Sequence, residues 1–229
     1  MATLPQTISA LEAVAGRDRA TLVQYGRVIR EDDLLPRGKP GGGAPQMSAE
    51  NLAMLMFGIY FADAPKDAAS TARRLGDYRR ASADTRDDLP EVFHRIAACS
   101  TLREALSVTI AGVPDLMRAF EAYIDEAYAG MAPEAIAQLK ADPSSVIGFT
   151  VAVHGVHAEI ECTADRKLQW SATFVMDMSR WQAGEYGFTS SDRSVCTSFS
   201  LRSLLVVGDC LTGRDPFEAP TPSYEQKEG

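Results

Sequence analysis

The residues best suited to chemistry lie near the start of the chain, where cationic, amide and hydroxyl side chains recur. Eight of them could contact double-stranded DNA, namely Arg17, Arg19, Thr21, Gln24, Arg27, Arg30, Arg37 and Lys39. A guanidinium group matches the paired acceptors of guanine, and a carboxamide matches the donor and acceptor of adenine. We therefore assign Arg19, Gln24 and Arg27 to base recognition, and Arg37 and Lys39 to phosphate contacts that orient the chain on the duplex.

Two short amphipathic helices are predicted to position these side chains. Thr7 can cap a first helix through Ala15, and Gly16 then supplies a sharp exit. Asp18 caps a second helix from Arg19 to about Asp32. Its inward stripe consists of Leu22, Tyr25 and Ile29, so the cationic side is expected to face outward and free of carboxylate partners.

A basic loop follows the second helix. The stretch from Arg37 to Pro45 is too rich in glycine and proline to be helical, and it predicts a loop or tight hairpin. A helix, a tight turn, a second helix and a basic glycine-rich wing are typical of a winged helix-turn-helix. The central hypothesis is that the second helix and this loop form one outward surface. Burial of that helix, or neutralisation of its arginines by neighbouring carboxylates, would contradict the regulatory function.

The same stretch resembles a known family. Four stretches resemble the MerR-like winged helix-turn-helix domain. They are Ala-Thr-Leu-Val-Gln-Tyr at 20–25, Asp-Leu-Leu-Pro at 33–36, the glycine-rich loop and Ser-Ala-Glu-Asn-Leu at 48–52. The resemblance covers residues 7–60 and extends to regulator-like proteins carried by prophages in proteobacteria. It implies a DNA-binding fold. The chain departs from MerR regulators because it has no long coiled-coil helix and no metal-sensing cysteine cluster, so no effector role is implied.

The remainder predicts an α+β fold. Ser48 caps a helix over 49–62 that is apolar nearly all round. We expect this helix to be buried, either within the chain or between the subunits of a dimer. A helix from about Pro65 to Ala81 would expose four arginines on one face, namely Arg73, Arg74, Arg79 and Arg80. This face is either solvated or an extension of the DNA-binding surface. A polar linker over 82–88 follows, and then a short helix over 90–99. A capping box at Thr101 and Glu104 opens another helix, and helices over 114–128 and 133–141 complete a helical middle.

Alternation of apolar and polar residues predicts strands after Pro143. Residues 149–162 and 168–176 read as the two strands of a hairpin that turns near Ala164 and Asp165. The apolar phase shifts at Gly155, which indicates a bulge there. A third strand near 194–198 and a last helix over 201–211 follow.

We therefore predict four parts. These are a winged helix-turn-helix over 1–62, a helical middle over 63–142, an antiparallel β-hairpin unit with a closing helix over 143–212, and a disordered tail over 213–229.

Charge is distributed unevenly along the chain. The net charge is -8, but residues 1–86 carry 12 Lys and Arg against 10 Asp and Glu, whereas residues 87–165 carry 4 against 13. Phosphate binding depends on local cations that displace counterions. The slight excess of positive charge in residues 1–86 is therefore compatible with DNA binding.

No catalytic, metal or cofactor site is predicted. His157, Glu159 and Glu161 alternate on one strand face and could ligate a metal, with His154 pointing the other way unless the bulge at Gly155 re-aims it. The solvated face of a hairpin explains these residues more simply. His94 fits a packed or surface position better than a general base. The four cysteines lie far apart, which favours reduced and mostly buried thiols.

The predicted function is a sequence-specific regulator that binds double-stranded DNA as a homodimer. The partner surface would be the apolar helix from Leu52 to Phe61 or the exposed face of the hairpin. Two alternatives remain open: an adaptor for DNA packaging or replication that resembles a phage small terminase, and a protein-binding inhibitor of a host system. The longest apolar run is too short to cross a bilayer and no leader sequence is evident, so we expect a cytoplasmic protein without membrane contact.

Overall fold

The computed structural model describes residues 2–38, 43–165, 168–177, 179 and 196–213. Its helices are α1 (Leu4–Glu12), α2 (Arg19–Glu31), α3 (Ala49–Phe61), α4 (Ala68–Gly76), α5 (Glu91–Ala98), α6 (Leu102–Ala111), α7 (Val113–Ala127), α8 (Pro133–Ala141) and α9 (Leu201–Thr212). Its strands are β1 (Arg79–Ala83), β2 (Gly148–His154), β3 (His157–Ala164), β4 (Leu168–Val175) and β5 (Cys196–Ser200). The chain is thus an α+β protein with an antiparallel sheet.

The first helix begins earlier than predicted. Thr3 rather than Thr7 is the N-cap, and the Thr3 backbone N–H donates to the Gln6 Oε1 at 2.8 Å. Thr7 lies inside α1, where its hydroxyl donates to the Thr3 carbonyl at 3.1 Å. Pro5 suits the first turn because that turn needs no intrahelical donor there. The sequence predicted that α1 starts after Thr7, because a threonine can serve either as an N-cap or as a residue inside the helix.

Helix α3 lies at the centre of the core. Its residues from Leu52 to Ile59 are all buried, as its apolar circumference predicts. Gly58 permits the close approach of two neighbours, because a Cβ there would lie 2.5 Å from the Ile29 Cδ1 and 3.2 Å from the Ala68 carbonyl oxygen. The helix is buried within its own chain, so it cannot provide the homodimer surface that the sequence suggested.

The predicted helix over 65–81 is too long. After a short 3-10 turn over Pro65–Asp67, α4 ends at Gly76, and Arg79 and Arg80 belong to the edge strand β1. Tyr78 is buried at the change of direction, and the Leu102 N–H donates to its carbonyl at 2.9 Å. The four arginines therefore do not share one helical face, so the proposed extension of a DNA footprint along that face is wrong.

The sheet has the order β1-β4-β3-β2-β5, with every neighbouring pair antiparallel. Residues 149–162 are not one bulged strand as predicted. They form β2 and β3, which pair His154 with His157 across a two-residue turn. Gly155 has a φ of +61° there, which a glycine adopts without strain. A tight turn and a bulge both shift the apolar phase, which is why the pattern could not separate them.

A large apolar core includes side chains from all three predicted segments of the described chain. It includes Ile8 of α1, Phe57 of α3, Phe120 of α7, Trp170 of β4 and Val207 of α9. The predicted divisions near residues 62 and 142 therefore fall within a continuous core, since side chains from all three segments pack together. The disordered tail predicted over 213–229 lies outside the described residues apart from Gly213.

The described cysteines differ in their burial. Cys162 and Cys210 are buried and Cys99 is half-buried. Burial raises the pKa of Cys162 to about 12, so this thiol stays protonated near neutral pH. Within the described ranges no helix is long and apolar enough to cross a membrane.

Candidate nucleic-acid interface

Helices α1 and α2 follow one another through a short connection, and two amphipathic helices were predicted for this part of the sequence. Gly16 has a φ of +62° in the connection, so the chain reverses without steric strain. Asp18 then caps α2: its carboxylate accepts from the Thr21 N–H at 2.9 Å and from the Thr21 hydroxyl at 2.6 Å. These hydrogen bonds, led by that of the hydroxyl, lower the pKa of Asp18. Thr21 therefore serves the cap rather than an outward contact.

The outer face of α2 is open to solvent. Leu22, Tyr25 and Ile29 are fully buried on the inner side. Gln24, Arg27 and Arg30 are exposed on the other side, together with Val23, Arg19 and Ala20. The exposed side carries both predicted kinds of base-reading group, a carboxamide and a guanidinium.

Arg17 has a structural position. Its guanidinium lies 4.9 Å from the centroid of the Tyr25 ring and donates to the Ala62 carbonyl at 3.4 Å. The Tyr25 hydroxyl donates to the same carbonyl at 3.1 Å. Burial raises the pKa of Tyr25 although the nearby Arg17 charge opposes that shift. Arg17 thus joins α2 to the end of α3, and a DNA contact would have to break this packing.

Three of the predicted DNA contacts have a carboxylate beside them. Arg19 lies 3.6 Å from Glu12 and also donates to the Ser9 hydroxyl at 3.0 Å. The Arg27 Nε lies 2.7 Å from a Glu31 oxygen, and the Arg37 Nε lies 2.8 Å from an Asp33 oxygen. The expectation that these arginines are unneutralised is therefore wrong. Arg30 has no ion-pair partner among the described residues.

The loop that follows α2 is anchored at both ends. Arg37 donates to the Glu31 carbonyl at 2.8 Å, and Arg73 of α4 donates to the Asp32 carbonyl at 2.7 Å, so both cations stabilise the carbonyl end of α2. At the far end the Met47 N–H donates to the Ala2 carbonyl at 2.9 Å, beside a bridge between residues 3 and 46. Lys39 lies outside the described residues.

Sequence reasoning did not find the role of Arg73. Arg73 also forms an ion pair with the Asp32 side chain, which ties α4 to the end of α2. Its position in a run of basic residues favoured a solvated or DNA-facing side chain. Since the pairing joins residues 41 positions apart in the sequence, no local signal could have indicated it.

The alternative metal face has a different geometry from the predicted one. His154 and His157 stand opposite each other and stack with ring centroids 5.0 Å apart, so the turn at Gly155 brings His154 to the side of His157, whereas the sequence suggested that a bulge would be needed for this. His157, Glu159 and Glu161 do alternate along β3 on its less buried side. In the part of the chain that the structure describes, no three His, Cys, Asp or Glu side chains converge as metal ligands.

No family model, curated protein or solved structure matches this chain. The geometry of the described residues is therefore the basis for a functional proposal.

Proposed function

We propose that the chain binds double-stranded DNA through the outer face of α2 and acts as a sequence-specific transcriptional regulator. Gln24 and Arg27 would contact base edges in the major groove, and Arg30 and Arg37 would contact phosphates. The observation that carries the proposal is the solvent exposure of the Gln24, Arg27 and Arg30 side of a helix whose other side is fully buried.

The shape of the surrounding segment supports this proposal. A recognition helix needs a rigid support and an unobstructed outer face. Here α2 packs on α1 and α3 through its buried stripe, and the loop after it is anchored by Arg37 and Arg73 at one end and by the Met47 N–H at the other. These anchors would hold the start of the wing beside the carboxyl end of α2.

The ion pairs of Arg27 and Arg37 are the feature that argues against this proposal, so DNA binding requires these arginines to exchange their carboxylates for acceptors on DNA. Glu31, Asp32 and Asp33 repel phosphate, and Arg27 must give up Glu31 before it can reach a base. Pairs this exposed contribute little to stability in water, because solvent screens the attraction and long side chains lose freedom on pairing. The exchange of Glu31 for a DNA acceptor is therefore feasible, and we expect moderate and strongly salt-dependent affinity.

Selection of bound duplexes from a random pool, followed by fluorescence anisotropy on the enriched sequence, tests the proposal. Arg27→Ala should weaken binding to the enriched duplex about tenfold and reduce discrimination against random duplexes. Arg30→Ala should weaken binding to all duplexes alike and make the salt dependence shallower by about one in slope. Glu31→Gln should strengthen binding, because it releases Arg27 and removes a negative charge.

Arg118→Ala is the matched control. Arg118 lies on α7, is 72% exposed and pairs with Asp115 three residues earlier, whereas Arg27 is 68% exposed and pairs four residues later. The control should leave affinity unchanged. Equal affinity in the Arg27 and Arg118 variants would contradict the assignment of α2. Complete absence of salt-sensitive DNA binding would instead favour the protein-binding alternative.

A further inference from the structure

A cavity of about 550 Å³ opens between α5, α7 and the start of β4. Four of its lining side chains are apolar and buried, namely Leu89, Phe93, Phe120 and Leu168. Small side chains on α7, among them Ala119, leave the space unfilled. This volume lies within the range of sites that bind small organic molecules, and such sites are typically apolar with a few polar groups.

Hydrogen bonds and ring packing hold the walls in place. Tyr123 on α7 donates from its hydroxyl to the Ala164 carbonyl at 3.0 Å, which fixes that helix against the end of β3. The Phe93 ring packs on Trp170 with centroids 4.9 Å apart. The Trp170 Nε1 donates to the Asp84 carbonyl at 3.0 Å, which holds the segment leading to the cavity against the sheet. The cavity is therefore preformed rather than dependent on its ligand.

The charges on the described lining favour a cation. Arg86 is already engaged, because its Nε lies 2.9 Å from an Asp84 oxygen and its guanidinium donates to the Gln169 carbonyl. Asp88 and Glu126 also line the cavity, and neither has an ion-pair partner among the described residues. Burial raises the pKa of Tyr123, and the charges of Asp165 and Glu126 raise it further, consistent with a negative potential at this wall.

We propose that this cavity binds a small organic amine whose aromatic or aliphatic body lies against Phe93, Phe120 and Tyr123. The ammonium group would face Glu126 and Asp88, and the aromatic rings would also attract it. The apolar body supplies most of the binding energy through burial, whereas the carboxylates select the sign of the charge. This site goes beyond the proposed DNA-binding surface and involves none of its residues.

Isothermal titration calorimetry with the full chain tests the proposal. The probes are tryptamine, phenethylamine and hexylamine as cations, and indole-3-acetate as an anion with the same ring as tryptamine. At least one amine should bind with one-to-one stoichiometry, and tryptamine should bind at least tenfold more tightly than indole-3-acetate. No heat from any amine at millimolar concentration, or equal affinity for the two indoles, would overturn the proposal.

Two pairs of variants locate the site. Glu126→Gln should weaken amine binding about fivefold, whereas Glu121→Gln, an exposed glutamate on the same helix outside the cavity lining, should not change it. Ala119→Trp should fill the cavity and abolish binding, whereas Ala137→Trp on the exposed side of α8 should preserve it. Unfolding curves monitored by circular dichroism establish that each variant folds. Unchanged amine affinity in folded Ala119→Trp protein would show that the amine binds elsewhere and would refute this site.

Discussion

Helices α2 and α3 have the same length of 13 residues and similar first turns, yet they have opposite positions in the molecule. In each, a side-chain oxygen of the N-cap accepts from the backbone N–H three residues later, at 2.9 Å from Asp18 and 3.2 Å from Ser48. Helix α2 buries a single stripe of side chains, whereas α3 is buried nearly all round.

The comparison separates two kinds of information in the sequence. The caps define where each helix starts, because they satisfy backbone donors within one turn. The width of the apolar face determines how many other helices or strands can pack against the helix. A narrow stripe leaves α2 with a free outer surface that can bind a partner, whereas the apolar circumference of α3 requires it to be enclosed.

The largest expected effect contrasts one side chain from each helix. Phe57→Ala in α3 should lower the free energy of unfolding by about 3–5 kcal/mol, because it removes a fully buried ring and leaves a cavity. Val23→Ala on the outer face of α2, where the side chain is 48% exposed, should change it by less than about 0.5 kcal/mol. Urea unfolding followed by circular dichroism measures both. Comparable losses in the two variants would mean that the outer face of α2 is covered.

An intermediate effect is expected at the contact between the two helices. Tyr25→Phe removes the hydroxyl that donates to the Ala62 carbonyl, and it should lower the free energy of unfolding by about 1 kcal/mol. Tyr128→Phe is the control. Its hydroxyl donates to the exposed Asp165 at 3.0 Å, and water can replace that bond. The same urea measurement applies. A smaller effect at Tyr25 than at Tyr128 would contradict the assigned contact.

The smallest effect concerns the two caps and depends on pH. The pKa of Asp18 is lowered in the folded chain, so its charged form favours folding. This contribution is present above the unfolded pKa of about 4 and is lost as the pH falls through the lower folded value. Asp18→Asn should therefore reduce the fall in stability between pH 5 and pH 3.

Ser48→Ala gives the comparison for the other cap. A serine hydroxyl does not titrate in this range, so this variant should lose about 0.5 kcal/mol of unfolding free energy, equally at every pH. Unfolding in urea at pH 3, 4, 5 and 6 measures both profiles. If Asp18→Asn retained the full acid sensitivity of the wild-type chain, the charge on Asp18 would play no part in stabilising α2.

Local patterns in the sequence predicted much of the helical structure. The capping box of Thr101 and Glu104, the start of α2 after Asp18 and the last helix from Leu201 all occur where the spacing indicated. These features succeed because each depends on hydrogen bonds or apolar contacts within a few residues. The start of α1 and the turn at Gly155 were misassigned, since neighbouring residues there satisfy two local patterns equally well.

The candidate interface was predicted in outline but not in its electrostatics. The outward side of α2 followed from its periodicity, so Gln24, Arg27 and Arg30 could be assigned to it. The pairing of Arg27 with Glu31 could have been predicted, because the two residues are four positions apart on one helix. The contacts of Arg17 with Tyr25 and Ala62 could not have been predicted, because they join the turn before α2 to the far end of α3.

The sequence by itself determined the starts of most helices, the alternation that marks the strands and the outward side of α2, because these depend on interactions between near neighbours. The tertiary structure alone decided that residues 79–83 join the sheet as an edge strand, that α3 is enclosed by its own chain and that α5, α7 and β4 leave a cavity. Each of these features depends on how segments far apart in the sequence pack together and pair their backbone groups. The spacing of neighbouring residues does not determine that packing.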